Sequence, residues 1–287
     1  MSKRVLVYFF LPIVVIFLTT FWIYDGYNQL LKLPDTSVTL AKGQQQASKN
    51  KLKSSPKTED ARAKIKDADM QALVAARLKK DQTMETSGIG RLAIPSEKLD
   101  LPILNTITEL SLSTGAVTYF PERPFGQGNI VLASHNFLDA DVLLHRIKNV
   151  TKGTKIYLTD FTMVWMYRVV KNQTIRDTQT DVLNQPKGLP IVTLLRCEGG
   201  VGTDNRRVVQ GVLQATSSFD ELTRKQQQML GVVSKTSEQS EKTRTNWMSI
   251  QLARSIQAKR PTGWLVLIVL LNAFILGISG ILFVRKA

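Results

Sequence analysis

The sequence predicts a mainly β domain flanked on both sides by polar connectors and apolar terminal segments. Short strand-like runs separated by Gly and Pro fill residues 88–216. Uncharged runs of 20 and 21 residues lie near the two ends, and the connectors are rich in Lys, Gln, Ser and Thr. We therefore predict five regions: an N-terminal membrane anchor at 1–26, a basic linker with a helix at 27–87, a β-rich domain at 88–216, a polar stalk at 217–262 and a C-terminal membrane anchor at 263–287.

The two apolar runs, 5–24 and 264–284, are each long enough to cross a lipid bilayer as a helix. Basic residues lie outside both distal ends, so the positive-inside rule places both termini in the cytoplasm. A cleaved signal peptide is the alternative for the first run, but that run has no Ala-x-Ala-like site before Asp25. The sequence therefore predicts a two-pass protein of the plasma membrane whose central domain faces outward.

The formal net charge of +15 is concentrated outside the central domain. Residues 27–80 carry 12 basic and 5 acidic side chains, and residues 216–262 carry 8 and 4. Residues 81–215 carry 14 basic and 13 acidic side chains, so the β-rich domain is close to neutral. The positive charge belongs to membrane-proximal connectors, where anionic headgroups are the nearby partners. This distribution argues against nucleic-acid binding.

Within the connectors, residues 41–57 are polar and non-periodic and predict a flexible linker. Acidic residues from Glu59 and lysines up to Lys80 are placed as a helix macrodipole favours, and they predict a helix over 59–80. A short helix is expected over 139–149. Strands are predicted in the central domain at 89–94, 101–105, 129–134, 155–159, 163–174, 190–197 and 207–214.

Cys197, the only cysteine of the chain, ends the apolar run that starts at Ile191. A thiol attacks as a thiolate, which a nearby imidazolium or guanidinium stabilises. Of the two histidines, His135 follows an apolar strand and precedes a polar turn, whereas His145 lies in a segment typical of a helix packed on a core. On spacing alone, Cys197 and His135 also fit inert structural positions.

Arg206 and Arg207 begin the strand after Cys197, so the intervening hairpin returns an arginine to the cysteine. Side chains alternate along a strand, and one of the two arginines therefore points inward and the other to solvent. The sequence shows neither metal-ligand spacing nor a Gly-rich phosphate loop. We expect no metal site and no cofactor.

Three segments in chain order resemble the catalytic motifs of sortases, the membrane-anchored cysteine transpeptidases. Gly-Asn-Ile-Val-Leu-Ala-Ser-His-Asn at 128–136 resembles the strand that carries their catalytic histidine. Thr-Leu-Leu-Arg-Cys at 193–197 resembles their Thr-Leu-x-Thr-Cys signature, and Arg-Arg-Val-Val-Gln-Gly at 206–211 resembles the strand with their catalytic arginine. Leu-Ser-Thr-Gly-Ala at 112–116 is similar to their Leu-x-x-Gly-Ala segment. The resemblance extends over residues 88–216.

The resemblance implies a closed eight-stranded sortase-type β-barrel and a thioester mechanism. Cys197 would be the nucleophile, His135 the general acid and then the base, and Arg206 the residue that positions the substrate and stabilises the oxyanion, with Arg207 as the alternative. The implied partners are proteins with a Leu-Pro-x-Thr-Gly-like sorting signal and an amine acceptor from a cell-wall precursor. The substrate contacts expected beside the catalytic residues are Ala133, Thr193 and Glu198.

The sequence departs from the family pattern in ways that leave the subclass open. Arg196 replaces the threonine that usually precedes the cysteine, and it would favour the thiolate only if it faces the site. Two membrane anchors resemble the pilin-polymerising sortases, yet the Asp-Pro-aromatic lid of those enzymes does not occur between Tyr27 and Gly88. The alternatives are therefore a pilin polymerase that uses a pilin lysine as acceptor and, outside the enzyme class, a catalytically inactive envelope scaffold.

Overall fold

The computed structural model describes residues 3–31, 36–51, 69–137, 141–200, 202–233, 247–259 and 263–284. The chain divides into two compact units. One unit is Leu33–Thr243, and the other combines Met1–Lys32 with Arg244–Ala287. The helices are α1 Lys3–Leu31, α2 Leu40–Lys51, α3 Met70–Leu78, α4 Lys80–Ser87, α5 Glu109–Leu112, α6 Arg224–Met229, α7 Trp247–Ala258 and α8 Gly263–Val284.

Within the described residues, eight strands close into a β-barrel, which confirms the predicted closed eight-stranded barrel. Their order around the barrel is β1-β2-β3-β4-β7-β8-β6-β5, and β1 pairs with β5 to close it. All the predicted strands form; β3 was not predicted, because three residues are too short for an alternating pattern. The strands are β1 Gly88–Ile94, β2 Leu99–Leu104, β3 Ala116–Thr118, β4 Asn129–Ala133, β5 Lys155–Thr159, β6 Met163–Arg176, β7 Ile191–Cys197 and β8 Asn205–Ser218.

The pairing of β4, β7 and β8 positions the candidate site. β4 runs parallel to β7, and β7 runs antiparallel to β8. Parallel neighbours need a long crossover, which here contains the 3-10 helix Leu143–Asn149 as well as β5 and β6. That 3-10 helix overlaps the helix predicted at 139–149, of which residues 139–140 lie outside the described residues. Alternate side chains on the three strands fill the barrel interior: Ile130, Leu132, Val192, Leu194 and Val209, each at most 1% exposed.

The flexible linker predicted at 41–57 is wrong over Leu40–Lys51, which forms α2. Its Ala, Gln and Lys residues have good helix propensity, and tertiary contacts hold it on the barrel. Asn50 is fully buried, and its side-chain amide donates to the carbonyl oxygen of Gly88 at 2.9 Å. Gly43 lies so close to the Phe161 ring that a Cβ would meet it at 2.8 Å. Residues 52–57 lie outside the described residues.

The helix predicted at 59–80 is described only from Asp69 onward. Over these residues it is interrupted: α3 ends at Leu78 and α4 begins at Lys80. Asp69 caps α3, its carboxylate accepting from the Ala72 backbone N–H at 2.8 Å. The separate helix α4 leads directly into β1.

Outside the barrel, the segment before β1 pairs with the segment after β8, and this pairing is called the clasp below. Val38 and Val232 form a parallel bridge, in which the Val38 N–H donates to the Gly231 carbonyl oxygen at 3.0 Å. The buried Arg91 of β1 lies beneath the clasp, with its guanidinium on Asp100 at 2.7 Å and on the carbonyl oxygen of Thr36 at 2.5 Å. Gly231 has φ +66°, and a Cβ there would overlap the Arg91 guanidinium, so glycine is required on both counts.

The polar stalk predicted from residue 217 is wrong over 217–233, because this segment packs on the barrel. β8 continues to Ser218, and Phe219 is fully buried. Leu230 and Val232 join Phe219 in an apolar cluster that also contains Val38. Because these three apolar residues pack on the barrel, the barrel unit extends beyond residue 216. The sequence did not predict this, since most residues of the segment are polar. Residues 234–246 lie outside the described residues.

In the other unit, α1 packs against α7 and α8. Residues 247–258, which the sequence assigned to the stalk, form the helix α7. In this helix Ala253 is buried and Met248 lies against Gly26. Among the described residues, one segment, Gly263–Ile281, is long and apolar enough to cross a membrane, with a mean hydropathy of 2.4. It lies in the predicted C-terminal anchor. The predicted N-terminal anchor forms the helix α1, and its insertion in a membrane stays a prediction.

Candidate active site

The register of β7 and β8 places two cross-strand pairs at one end of the barrel. Cys197 lies opposite Arg206, and Arg196 lies opposite Arg207. Directly opposite residues of an antiparallel pair share a face, and successive residues alternate between faces. Cys197 and Arg206 are therefore on the outer face, and Arg196 and Arg207 are on the inner face. Cys197 and Arg206 are called the outer pair below, and Arg196 and Arg207 are called the inner pair.

His135 follows β4 and comes to the same end of the barrel. The last β4–β7 partners are Ala133 and Leu195, and two further residues along each parallel segment lead to His135 and Cys197. Backbone bonds fix this extension on both sides. The Ser134 N–H donates to the Leu195 carbonyl oxygen at 3.3 Å, and the His135 N–H donates to that of Leu112 in α5 at 3.0 Å. The fold thus gathers Cys197, His135 and Arg206 from three adjacent strands.

Arg206 is held from the hairpin side. Its Nη1 donates to the carbonyl oxygens of Thr203 at 2.6 Å and Asn205 at 3.0 Å, and its Nη2 lies 3.5 Å from Asp177. These contacts leave the side chain partly exposed on the face of Cys197. A partly exposed guanidinium whose position is fixed by backbone carbonyls can bind a substrate carbonyl or a developing oxyanion.

The inner pair is built around one carboxylate. Glu198 Oε2 accepts from Arg196 Nη2 at 2.8 Å and from Arg207 Nε at 3.1 Å. Burial alone would raise the pKa of Glu198, but the hydrogen bond from Arg207 and the charges of Arg196, Arg207 and Lys148 hold it below its usual value. Burial lowers the pKa of Arg196, and the charge of Glu198 counteracts this effect. Two arginines directly opposite each other would repel, and Glu198 neutralises them.

The Arg196 side chain therefore lies on the opposite face of β7 from the Cys197 side chain. Its side chain is 2% exposed, and its Nη1 donates to the Cys197 carbonyl oxygen at 2.6 Å. Nη2 reaches the carbonyl oxygen of His145 in the 3-10 helix at 3.4 Å. Arg196 thus holds the cysteine backbone from within the barrel end.

The expected substrate contacts have different surroundings. Ala133 is half-buried on the outer face. Thr193 is fully buried, and its hydroxyl donates to Asn129 Oδ1 at 2.8 Å and accepts from Gln210 Nε2 at 3.2 Å. Asn129 in turn donates to the carbonyl oxygens of Val182 and Asn184, which ties the β6–β7 connection to β4. Substrate contact by Thr193 and Glu198 stays a prediction, since both side chains already serve these internal networks.

His145 lies on the 3-10 helix, as a packed structural residue would. Its Nε2 accepts from Lys148 Nζ at 2.7 Å, and its Nδ1 lies 3.4 Å from Asn136 Oδ1. Burial, followed by the charges of Lys148 and Arg196, lowers the pKa of His145 below its usual value. Among the described residues, no group of three or more His, Cys, Asp and Glu side chains is arranged to hold a metal ion.

Glu109 is a site residue that sequence reasoning missed. It opens α5, whose N-cap Thr108 accepts from the Ser111 N–H at 3.0 Å. Glu109 Oε2 lies 3.0 Å from His135 Nε2. The sequence signal is weak, because α5 has four residues and no periodicity, and 26 positions separate the two side chains.

Comparisons with known proteins support one family. The family model described as sortase domain matches residues 92–214. Sortase A of Bacillus anthracis is 34% identical over 156 residues, which cover 54% of this chain and 71% of that protein. Sortase A of Listeria monocytogenes is 34% identical over 131 residues, or 46% of this chain and 59% of that protein. The crystal structure of Listeria monocytogenes sortase A aligns with a TM-score of 0.47 at 30% identity, covering 51% of this chain and 99% of the crystallised one.

The match to the Bacillus anthracis protein covers more than two thirds of that relative's length, and the family model lies within the barrel strands. Less of the Listeria monocytogenes protein is matched, since the alignment spans 59% of its length. The sequence motifs, the closed barrel and the relatives agree, and this chain belongs to the sortase family.

Proposed function

We propose that this chain is a membrane-anchored cysteine transpeptidase that acts on proteins with a Leu-Pro-x-Thr-Gly-like sorting signal. The observation that carries the proposal is the register that sets Cys197 opposite Arg206 on the outer face, with His135 on the adjoining strand extension. A thiol, an imidazole and a guanidinium on one face provide a nucleophile, an acid–base group and an oxyanion partner.

The reaction would proceed in two acyl-transfer steps. The Cys197 thiolate attacks the threonine carbonyl carbon of the signal's Thr–Gly bond, and Arg206 stabilises the oxyanion. His135 donates a proton to the leaving glycine amine, and a thioester on Cys197 remains. An acceptor amine then attacks the thioester, His135 takes up its proton, and the thiolate is regenerated. No cofactor takes part.

Cleavage of a Leu-Pro-x-Thr-Gly peptide between a fluorophore and a quencher tests this function in the full chain in detergent. We expect cleavage by the wild type and none by Cys197→Ala. Equal cleavage by Cys197→Ala would contradict the proposal, and absence of cleavage by both proteins with this and related motifs would favour a catalytically inactive envelope scaffold.

The acceptor is proposed to be the amine of a cell-wall precursor peptide. The alternative, a pilin lysine, rests on the predicted pair of anchors, which resembles the pilin-polymerising enzymes; Gly263–Ile281 is the one segment among the described residues that is long and apolar enough to cross a membrane. Competition between a diamino-acid or oligoglycine acceptor and a lysine-containing pilin peptide separates the two. Preferential product formation with the wall-type amine supports the proposal, and preference for the lysine peptide would replace it.

We further propose a two-pass topology with cytoplasmic termini and an outward-facing barrel. Because Cys197 is the only cysteine, a membrane-impermeant maleimide should label it in intact protoplasts. In a Cys197→Ala background, a cysteine introduced by Ser2→Cys or Lys286→Cys should be labelled only after lysis. Labelling of either terminal cysteine in intact protoplasts would contradict the topology.

A further inference from the structure

We propose that Glu109 is a positioning residue for His135, which it holds in one ring orientation and one tautomer during catalysis. The inference rests on the proposed transpeptidase function and assigns a third side chain to the same site. The observation is a direct contact between two elements that are distant in sequence: Glu109 Oε2 lies 3.0 Å from His135 Nε2.

The local structure fixes both partners. α5 begins at Glu109 behind the Thr108 cap, and the last residue of the same helix, Leu112, accepts the His135 backbone N–H through its carbonyl oxygen at 3.0 Å. Phe137 also makes an edge contact with the ring, at a centroid distance of 6.3 Å. The imidazole is 7% exposed, whereas the Glu109 side chain is 42% exposed. A nearly buried ring is therefore held at one nitrogen by a carboxylate that still reaches solvent.

The contact determines which nitrogen is available for chemistry. The two ring nitrogens of histidine are distinct, and the hydrogen bond made by one sets the role of the other. With Nε2–H donating to Glu109, the proton exchanged with substrate is at Nδ1. In the acid step, Nδ1–H passes to the leaving amine, and the ring becomes neutral with its proton on Nε2. In the base step, the Nδ1 lone pair accepts the proton of the incoming amine.

The exposure of Glu109 argues for a kinetic effect and against a large stabilising one. Ion pairs with a solvent-exposed partner contribute little to folding stability. Loss of Glu109 should therefore reduce turnover while the barrel remains folded.

The test uses the full chain in detergent with two substitutions at Glu109 and one at a control position. Glu109→Ala removes the acceptor, Glu109→Gln keeps an acceptor oxygen without charge, and Glu221→Ala is a matched control at an exposed acid on the last 3-10 turn. We expect Glu109→Ala to lower kcat for peptide cleavage by about 10- to 100-fold, with KM changed by no more than about twofold. Glu109→Gln should recover part of this loss, and Glu221→Ala should match the wild type.

Ring-nitrogen NMR of ¹⁵N-histidine-labelled protein gives the second readout. The chain has two histidines, and a His145→Gln variant assigns both rings. We expect a protected Nε2–H on His135 that is lost in Glu109→Ala and retained in Glu109→Gln. A protected Nδ1–H, or a His135 signal unchanged by Glu109→Ala, would overturn the inference.

The kinetic outcomes also separate the two proposals. If Cys197→Ala is inactive and Glu109→Ala is fully active, the transpeptidase function stands and the role of Glu109 is wrong. If Glu109→Ala keeps normal hydrolysis and loses only transfer to the amine acceptor, Glu109 binds the acceptor ammonium, and the positioning role is likewise wrong. Cleavage that survives in Cys197→Ala would refute the function itself.

Discussion

The outer and inner pairs lie at the same end of β7 and β8, yet their arginines have different surroundings. Arg206, on the face of Cys197, is held by backbone carbonyls and stays partly exposed. Arg196, one position from Cys197, is almost fully buried and bound to a carboxylate that it shares with Arg207. An exposed guanidinium can meet a substrate, whereas a buried and neutralised one stabilises the hairpin. Because side chains alternate between the two faces of a strand, the arginine that can meet a substrate and the arginine that stabilises the hairpin lie on opposite faces.

The largest expected difference is between the two histidines, which lie on the outer face and on the 3-10 helix. His135→Ala should lower kcat/KM for peptide cleavage by about 10²- to 10⁴-fold, because the acid–base group is lost. His145→Ala should lower it by no more than a few-fold, because that ring bonds to Lys148 and Asn136. Steady-state kinetics of both variants check this, and the reverse ranking would place the general acid at His145.

The next difference compares the two arginines of β8. Arg206→Ala should lower kcat/KM by about 10²- to 10³-fold with an unchanged Tm, because it removes the oxyanion partner. Arg207→Ala should lower Tm and leave most of the activity, because it removes one of two cations on Glu198. Kinetics and thermal unfolding of the same two preparations give the answer. If Arg207→Ala proved the inactive and thermally stable variant, the assignment of the outer and inner pairs would be wrong.

Sequence reasoning could predict the barrel but not the roles of these neighbours. Strand-like runs bounded by Gly and Pro predict strands, and alternation shows that Arg206 and Arg207 differ in orientation. It does not show which of them faces the cysteine, because the register depends on the partner strand. Arg196 was ambiguous for the same reason.

Other features were missed because tertiary contacts decide them. Residues 40–51 have no apolar periodicity, and α2 is held by Asn50 and Gly43 against the barrel. Residues 219–232 contribute a few apolar side chains to a distant cluster within a polar segment. Glu109 meets His135 only through the crossover between β2 and β3. Contacts between residues that are distant in the chain leave no pattern in the local sequence from which they could be predicted.

A smaller effect is expected at the carboxylate of the inner pair. Glu198→Gln should lower the stability of the barrel by about 1–3 kcal/mol at neutral pH, because Arg196 loses its counter-charge in a buried position. The folded-state pKa of Glu198 lies below its unfolded value, so its stabilising contribution is present at neutral pH and is lost as the pH falls through the folded-state pKa.

The Tm difference between wild type and Glu198→Gln should therefore be largest near pH 7 and shrink below about pH 4. Thermal unfolding in detergent at several pH values measures it, with Glu221→Gln as an exposed control that should show no difference. A gap that grew toward acid pH would show that Glu198 does not stabilise the folded state as a carboxylate.

The smallest expected effect concerns Thr193, on the outer face but buried beneath the β6–β7 connection. Thr193→Val should cost about 1 kcal/mol of stability, because it leaves Asn129 and Gln210 without their shared hydroxyl. Activity should fall by no more than a few-fold. A large increase in KM at unchanged Tm would instead show that this hydroxyl binds substrate directly.

The central claim, that the outer pair carries the chemistry, is tested most directly by trapping the acyl-enzyme. The full chain is incubated with a Leu-Pro-x-Thr-Gly peptide without an added amine acceptor and is analysed by intact-mass and peptide-mapping mass spectrometry. We predict a mass increase equal to the acyl portion ending in threonine, mapped to Cys197 and removed by hydroxylamine. Peptide cleavage with no adduct on Cys197, or with an adduct on another residue, would contradict the account.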